Sequence, residues 1–152
     1  MNIDIFKMAR QYAPLIGRLL LANIFIISGF QKISGFAGVA AYMDMKGIPM
    51  SEVLLVLTII IELGGGLCIL LGWQARWAAL AIFLFLIPVS LIFHPYWTYA
   101  EDEMRAQFIQ FYKNLAIMGG MLYVIAFGSG PFSVSKDNTE TPGVGPSQAV
   151  DI

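Results

Sequence analysis

Residues 53–73, VLLVLTIIIELGGGLCILLGW, form an apolar stretch with a single charged residue, Glu62, at its middle. A helix needs about 20 mainly apolar residues to cross roughly 30 Å of hydrocarbon, and this stretch meets that length. Backbone amides in lipid must bond within their own segment, so a helix is expected although β-branched residues are frequent. The stretch therefore predicts a transmembrane helix with a carboxyl group at the membrane midplane.

Three further stretches are apolar over a similar length, namely 14–33, 77–94 and 108–127. The chain of 152 residues is 58% hydrophobic and only 12% charged, whereas an ordinary soluble domain is about one-quarter charged. The sequence therefore predicts an all-α, polytopic membrane protein whose core is a bundle of four transmembrane helices. The net charge of −1 provides no basic excess to neutralise phosphates, so nucleic acid is not expected as a partner.

The segments outside the spans carry weaker signals. Apolar residues recur at helical spacing from Phe36 to Met43, and Gly47 and Pro49 end the run, which predicts a short helix in the membrane interface. Residues 129–152 are rich in Gly, Pro, Ser and Thr without periodicity, and we expect a disordered C-terminal tail there.

Four crossings would place both termini on the same face of the membrane, here called the terminal face. Basic residues are slightly more frequent on that face, which predicts N- and C-termini in the cytoplasm. The residues on or towards the terminal face are Lys7, Arg10, Arg18, Arg76 and Lys136, against Lys32, Lys46, Arg105 and Lys113 on the opposite side.

The predicted position of Glu62 at the membrane midplane is energetically unfavourable for an ionised carboxylate. An ionised carboxylate at the bilayer centre costs about 2.5 to 3.5 kcal/mol by insertion scales, so Glu62 needs either a proton or a cationic partner on a neighbouring helix. Lys113, about one turn inside the fourth span and next to Asn114, is the candidate partner. An ion pair between Glu62 and Lys113 that only joins two helices is the alternative interpretation.

Further polar residues lie in one half of the bilayer, because they end the first and third spans and begin the fourth. Together with Glu62 they are expected to line one cavity that opens away from the terminal face. We predict Glu62 and His94 to be catalytic, and no metal site, because one histidine without a second ligand is a poor metal site. The predicted ligand-binding residues are Gln31, Lys32, Lys113 and Asn114.

Some of these residues have simpler interpretations. The long side chain of Lys32 lies near a helix end, where it can reach water, and Arg18 is expected to do so on the terminal side. His94 precedes Pro95 at a span boundary, which is also typical of an interfacial residue.

Five short motifs occur in a characteristic order: SGFQKI at 28–33, GIP at 47–49, ELGGG at 62–66, FH at 93–94 and KNLA at 113–116. Together they resemble the DoxX family of small bacterial inner-membrane proteins, over about residues 15–127. The resemblance implies a four-helix membrane bundle and, through the related thiosulfate:quinone oxidoreductase subunit, a link to membrane redox assemblies. The family pattern covers Lys32, Glu62, His94, Lys113 and Asn114.

These observations favour a membrane subunit of a redox system that binds a quinone or a small sulfur-containing molecule in the intramembrane cavity. Cys68 is the only cysteine, and no haem-ligand pair or nucleotide fingerprint is present, so electrons would need a quinone or a membrane redox partner protein. Whether the chain catalyses a reaction alone stays open. The alternatives are a small transporter using Glu62 and Lys113, which would require a homo-oligomer, and a structural partner within the lipid bilayer.

Overall fold

A computed structural model describes residues 4–135 of the chain. A π-helical segment, Ile60–Gly64, joins the third α-helix to the fourth, and a short 3-10 turn, Tyr96–Thr98, precedes the sixth. The α-helices of the described part are α1 (Ile5–Ser34), α2 (Phe36–Met45), α3 (Ser51–Ile59), α4 (Gly65–Leu71), α5 (Ala75–Phe93) and α6 (Glu101–Phe127).

Four helical stretches are long and apolar enough to cross a membrane, and no strand occurs between residues 4 and 135. They are Ile5–Ser34, Ser51–Leu71, Ala75–Thr98 and Glu101–Phe127, so the predicted all-α fold with four spans is confirmed. The second span is continuous through α3, the π-helical segment and α4. Large apolar side chains cover the outside, as expected when lipid replaces water: Leu20 is 73% exposed and Trp77 is 71% exposed.

The spans pack in chain order: α1 contacts the second span, the second span contacts α5, and α5 contacts α6. Buried apolar side chains fill the centre of the half nearer the terminal face. This central cluster includes Ala22, Phe25, Ile69, Ala79, Ile82 and Met121.

The second and third spans are joined by a tight turn. Gly72 adopts the left-handed conformation with a φ of 67°, and the amide of Trp73 donates to the carbonyl of Cys68 at 2.9 Å. This arrangement closes the C-terminal end of α4 and satisfies carbonyls that would otherwise lack a donor. Since α5 begins at Ala75, the two spans are antiparallel neighbours.

The short helix predicted after the first span is present as α2. It packs Ala40 and Met43 against Leu55 of α3, and Phe93 at the end of α5 lies against the same cluster. Helix α2 therefore covers the end of the bundle opposite the terminal face.

Residues 128–135, here called the C-terminal strap, fold back onto the terminal face. The amide of Val134 donates to the carbonyl of Leu71 at 3.0 Å, and the ring of Phe132 stacks on Tyr12 at 5.7 Å between centroids. Of the tail predicted to be disordered, residues 129–135 thus lie against the bundle. The remainder, 136–152, is outside the described residues.

Arg18 lies beneath this strap. Its Nη2 group donates to the carbonyl oxygens of Pro131 and Phe132, at 3.3 and 2.9 Å, and the residue is only 2% exposed. The expectation that Arg18 extends to water is therefore wrong, because the strap supplies its acceptors inside the protein.

Candidate functional site

Ser28 and Lys32 lie one helical turn apart on α1, so their side chains project from the same face. The ammonium group of Lys32 donates to the hydroxyl oxygen of Ser28 at 2.6 Å. This contact directs the lysine along the helix and towards the second span.

Glycines allow α1 and the second span to approach closely at this level. A Cβ atom added to Gly29 would lie 2.5 Å from Cγ of Leu63, and one added to Gly66 would lie 3.3 Å from Cβ of Phe25. Small residues at helix interfaces permit such close backbone contact in membranes. Because Ser28 adjoins Gly29 and Glu62 adjoins Leu63, the approach places Ser28 beside Glu62.

Glu62 is the central residue of the π-helical segment Ile60–Gly64 and is 6% exposed. A π-helical turn accommodates one extra residue, which changes the direction of the side chains that follow, and such turns are frequent at functional sites. The π-helical turn here contains Glu62, the side chain of the second span that is energetically most costly to bury, at the point where it enters the protein interior.

Lys32 and Glu62 form a partly buried ion pair. The lysine Nζ atom lies 2.9 Å from Oε2 and 3.0 Å from Oε1 of Glu62, and the hydroxyl of Ser28 donates to Oε1 at 3.3 Å. The side chains of Lys32 and Glu62 are 24% and 8% exposed. The carboxylate thus receives both a counter-ion and hydrogen bonds, which offset the cost of its removal from water.

The cation that pairs with Glu62 is therefore Lys32 rather than the predicted Lys113. Lys113 is exposed, and its ammonium group donates to the side-chain oxygen of Gln110 on the same helix. The difference follows from packing order: α1 lies directly against the second span, whereas α6 lies against α5.

His94 and Gln107 connect the end of α5 to the start of α6. The Nδ1 atom of His94 lies 2.8 Å from Oε1 of Gln107. A carboxamide oxygen can only accept, so this contact requires a hydrogen on Nδ1.

Asn114 makes a second connection between α5 and α6. Its side-chain amide donates to the hydroxyl oxygen of Ser90 at 3.1 Å, and that hydroxyl donates to the carbonyl of Leu86 at 2.7 Å. Asn114 and Ser90 are both buried. The pair fixes α6 on α5 just below the level of His94.

Two cavities meet at the ion pair. The larger, of about 240 Å³, lies beneath α2, and the smaller, of about 140 Å³, lies between α1, α5 and α6. Lys32, Glu62, Val89 and His94 line both, so the pair and the histidine stand in the wall that the cavities share.

The structure brings most of the predicted site residues together. Lys32, Glu62, His94, Lys113 and Asn114 all line the smaller cavity. The sixth predicted residue, Gln31, is exposed and lines neither cavity, since it lies on a different face of α1 from Lys32.

Sequence reasoning missed Ser28, Thr58 and Gln107. Ser28 had a usable signal, because it precedes Lys32 by four residues on a predicted helix and must share its face. Gln107 had none, since it fell in a segment predicted to be a connection, whereas α6 begins at Glu101. Within residues 4–135 no three His, Cys, Asp or Glu side chains are grouped closely enough to hold a metal ion.

The sequence pattern of the DoxX family matches residues 13–95. The inner membrane protein YphA of Escherichia coli (strain K12) is 32% identical over 131 residues, which cover 86% of this chain and 94% of the relative. The inner membrane protein YqjF of the same organism is 37% identical over 130 residues, covering 86% and 95%.

A more distant relative is the ER-derived vesicles protein ERV29 of Saccharomyces cerevisiae, 29% identical over 128 residues, which cover 84% of this chain but 34% of that protein. No solved structure matches the chain. The family match extends over the first three spans, and both bacterial relatives match at nearly full length. This chain therefore belongs to the DoxX family and is a multi-pass inner-membrane protein.

Proposed function

We propose that this chain is a membrane subunit of a redox system and that it binds a quinone, or a small sulfur-containing molecule, beside the Lys32–Glu62 pair. The observation that carries the proposal is the position of this pair in the wall between two cavities. A pair that only joined two helices would be packed on all sides, because protein interiors leave few voids. Here both residues border open space that a ligand can enter.

The larger cavity suits a ring with a polar edge. An apolar cavity of about 150 Å³ accommodates benzene, so about 240 Å³ leaves room for a substituted ring. Val39, Met43, Phe85 and Phe93 supply apolar walls, and the polar residues that line the cavity are Lys32, Tyr42, Thr58, Glu62, His94 and Gln107. A quinone headgroup combines these two properties.

The polar wall also contains groups that can transfer protons. A quinone and its quinol differ by two electrons and two protons, and carboxyl and imidazole groups are the commonest acids and bases in proteins. In this proposal Glu62 or His94 handles the protons, while Lys32 holds the carboxylate in place. Since the chain has one cysteine and one histidine, a partner protein supplies or removes the electrons.

The packing favours binding over passage through the bundle. Below the ion pair, towards the terminal face, Ala22, Phe25, Ile82 and Met121 form a buried apolar cluster. Both cavities lie on the other side of this cluster, so a solute would have to displace packed side chains to cross. A transport role would therefore require a rearranged or oligomeric form.

The test measures the quinone that accompanies the full-length protein through purification in mild detergent with native lipids. Lipid extraction and mass spectrometry should find quinone with the wild type and at least a tenfold lower amount with Glu62→Gln, which loses the charge that orients Lys32. Glu103→Gln, which changes an exposed carboxylate at the start of α6, is the matched control and should retain the wild-type amount.

Direct binding separates the two ligand classes, with decylubiquinone and thiosulfate as the probes. Binding of either that is weakened by Glu62→Gln supports the site. If no quinone accompanies the wild type and neither probe binds, the proposal is refuted. Proton or solute flux into liposomes that is abolished by Glu62→Gln would favour the transport alternative instead.

A further inference from the structure

The contact between His94 and Gln107 constrains the tautomer of the histidine ring as well as its position. Oε1 of Gln107 lies 2.8 Å from Nδ1 and can only accept, so in a neutral ring Nδ1 carries the hydrogen and Nε2 is a hydrogen-bond acceptor. Both residues line the larger cavity, and among the described residues the hydrogen bond of the ring is the one at Nδ1. A neutral histidine that could adopt either tautomer is thereby restricted to one.

The neighbouring cation has little donor capacity left for a ligand. The Lys32 ammonium group donates to the hydroxyl oxygen of Ser28 at 2.6 Å and to Oε1 of Glu62 at 3.0 Å, and it lies 2.9 Å from Oε2. The charge and the hydrogen-bond donors of Lys32 are thus directed to Ser28 and Glu62. Two groups in the wall that the cavities share can therefore engage a ligand directly, and both do so as acceptors: Nε2 of His94 and Oε2 of Glu62, which has no hydrogen-bond partner among the described residues.

Gln107 is well placed to hold this tautomer because α5 and α6 are firmly joined around it. The ring of Tyr96 packs edge-on against Phe108 at 5.1 Å and against Phe111 at 5.5 Å. Lower in the bundle, Asn114 bonds to Ser90. With contacts on both sides, α6 cannot shift at Gln107 without breaking one of them.

From this geometry we infer that Gln107 positions His94 as an acceptor, and that the larger cavity consequently selects the reduced, hydroxyl-bearing form of a quinone over the oxidised form. The inference deepens the proposed function, since it concerns the same cavity. A quinol hydroxyl can donate to Nε2 and still accept from the Gln107 amide or the Thr58 hydroxyl. A quinone carbonyl can only accept, and it would set its lone pairs against that of Nε2.

The tautomer can be measured without a ligand, because the chain contains a single histidine. Protein labelled with ¹⁵N-histidine and purified with a tag free of histidine gives one pair of ring-nitrogen signals. We expect a protonated Nδ1 and an unprotonated Nε2 in the wild type, and a mixture of tautomers in Gln107→Leu. Gln11→Leu makes the same change at an exposed position of α1 and should match the wild type.

The selectivity is the ratio of affinities for decylubiquinol and decylubiquinone. The wild type should bind the quinol about fivefold to tenfold more tightly, the value of one hydrogen bond gained. In Gln107→Leu the ratio should fall to near one while quinone affinity changes little, a pattern that a general loss of folding would not produce.

A hydrogen on Nε2 in the wild type, or equal affinities for the two forms, would overturn the inference and leave the proposed site intact. Failure of both forms to bind would instead count against the proposed function, and the ¹⁵N signals would still decide the tautomer.

Discussion

Helix α1 carries one cation near each end of the bundle, a buried Arg18 and a partly buried Lys32, and the two are accommodated differently. Lys32 meets the carboxylate of Glu62 beside two cavities. Arg18 meets the backbone: two carbonyls of the C-terminal strap accept from it, and Gly72 at the end of α4 lies directly against Nη1. The carbonyl end of a helix carries a partial negative charge, which favours a cation in that position.

The two ends also differ in the chemistry of their charged groups and in the space beside them. A guanidinium group stays charged in proteins, so Arg18 can hold the strap but cannot exchange a proton. A third cavity, of about 390 Å³ between α1 and α6, borders Arg18, yet its Nε and Nη1 atoms are buried. Lys32 and Glu62 pair with each other and have open space beside them. We therefore describe the terminal end as a structural clasp and call the opposite end, where the proposed ligand site lies, the reactive end.

The largest effect is expected from Gly72→Ala at the clasp. A Cβ atom there would overlap Nη1 of Arg18 and the side chain of Ser133, and the φ of 67° is unfavourable for any residue with a Cβ. We expect a loss of about 3 kcal/mol or more in the free energy of unfolding, as for other large steric and backbone defects. Thermal unfolding in detergent measures this loss.

Gly119→Ala is the matched control for this substitution. Gly119 lies within α6, and a Cβ added there would meet nothing within 4 Å. Its unfolding temperature should equal or slightly exceed that of the wild type, because alanine favours helix. If Gly72→Ala were equally harmless, the clasp would not exist as described.

The next effect concerns the ion pair at the reactive end. Lys32→Met leaves a carboxylate without its cation, and Glu62→Gln leaves a cation without its carboxylate, so each single change should destabilise the protein. The double variant should be more stable than the sum of the two losses implies, by about 1 to 3 kcal/mol. Lys7→Met with Glu103→Gln, two exposed residues on opposite faces, should be additive. Additivity at Lys32 and Glu62 would mean that the pair does not form.

The spans could be predicted from the sequence because hydrocarbon imposes a length and a composition on each segment that crosses it. The cost of burial also identified Glu62 and the level of the membrane at which its companions lie. These inferences depend on one residue or one helix at a time, and they needed no knowledge of packing.

The features that could not be predicted from the sequence depend on which helices contact each other. The choice of Lys32 over Lys113 follows from α1 packing on the second span, and Gln31 left the site because the rotation of α1 turns it outward. The π-helical turn at Glu62 changes the helical register locally, and no pattern in the composition of the sequence indicates such a turn. The burial of Arg18 depends on the strap, which is more than 100 residues away along the chain.

The smallest effect is expected from a substitution of Lys46, in the segment that covers the reactive end. Lys46, between the first two spans, donates to the hydroxyl oxygen of Tyr99 at 2.8 Å, and this hydrogen bond raises the pKa of Lys46 above its usual value of 10.5. A raised pKa means that the contact stabilises the fold fully below pH 10.5 and that the stabilisation is lost as the pH rises through the folded-state pKa. Since Lys46 is only partly buried, water screens this contact, and Lys46→Met should lower the free energy of unfolding by less than about 1 kcal/mol at neutral pH. Unfolding measured from neutral to strongly alkaline pH should show the variant and the wild type converging. A gap that stayed constant would assign the loss to packing of the apolar lysine stem rather than to its charge.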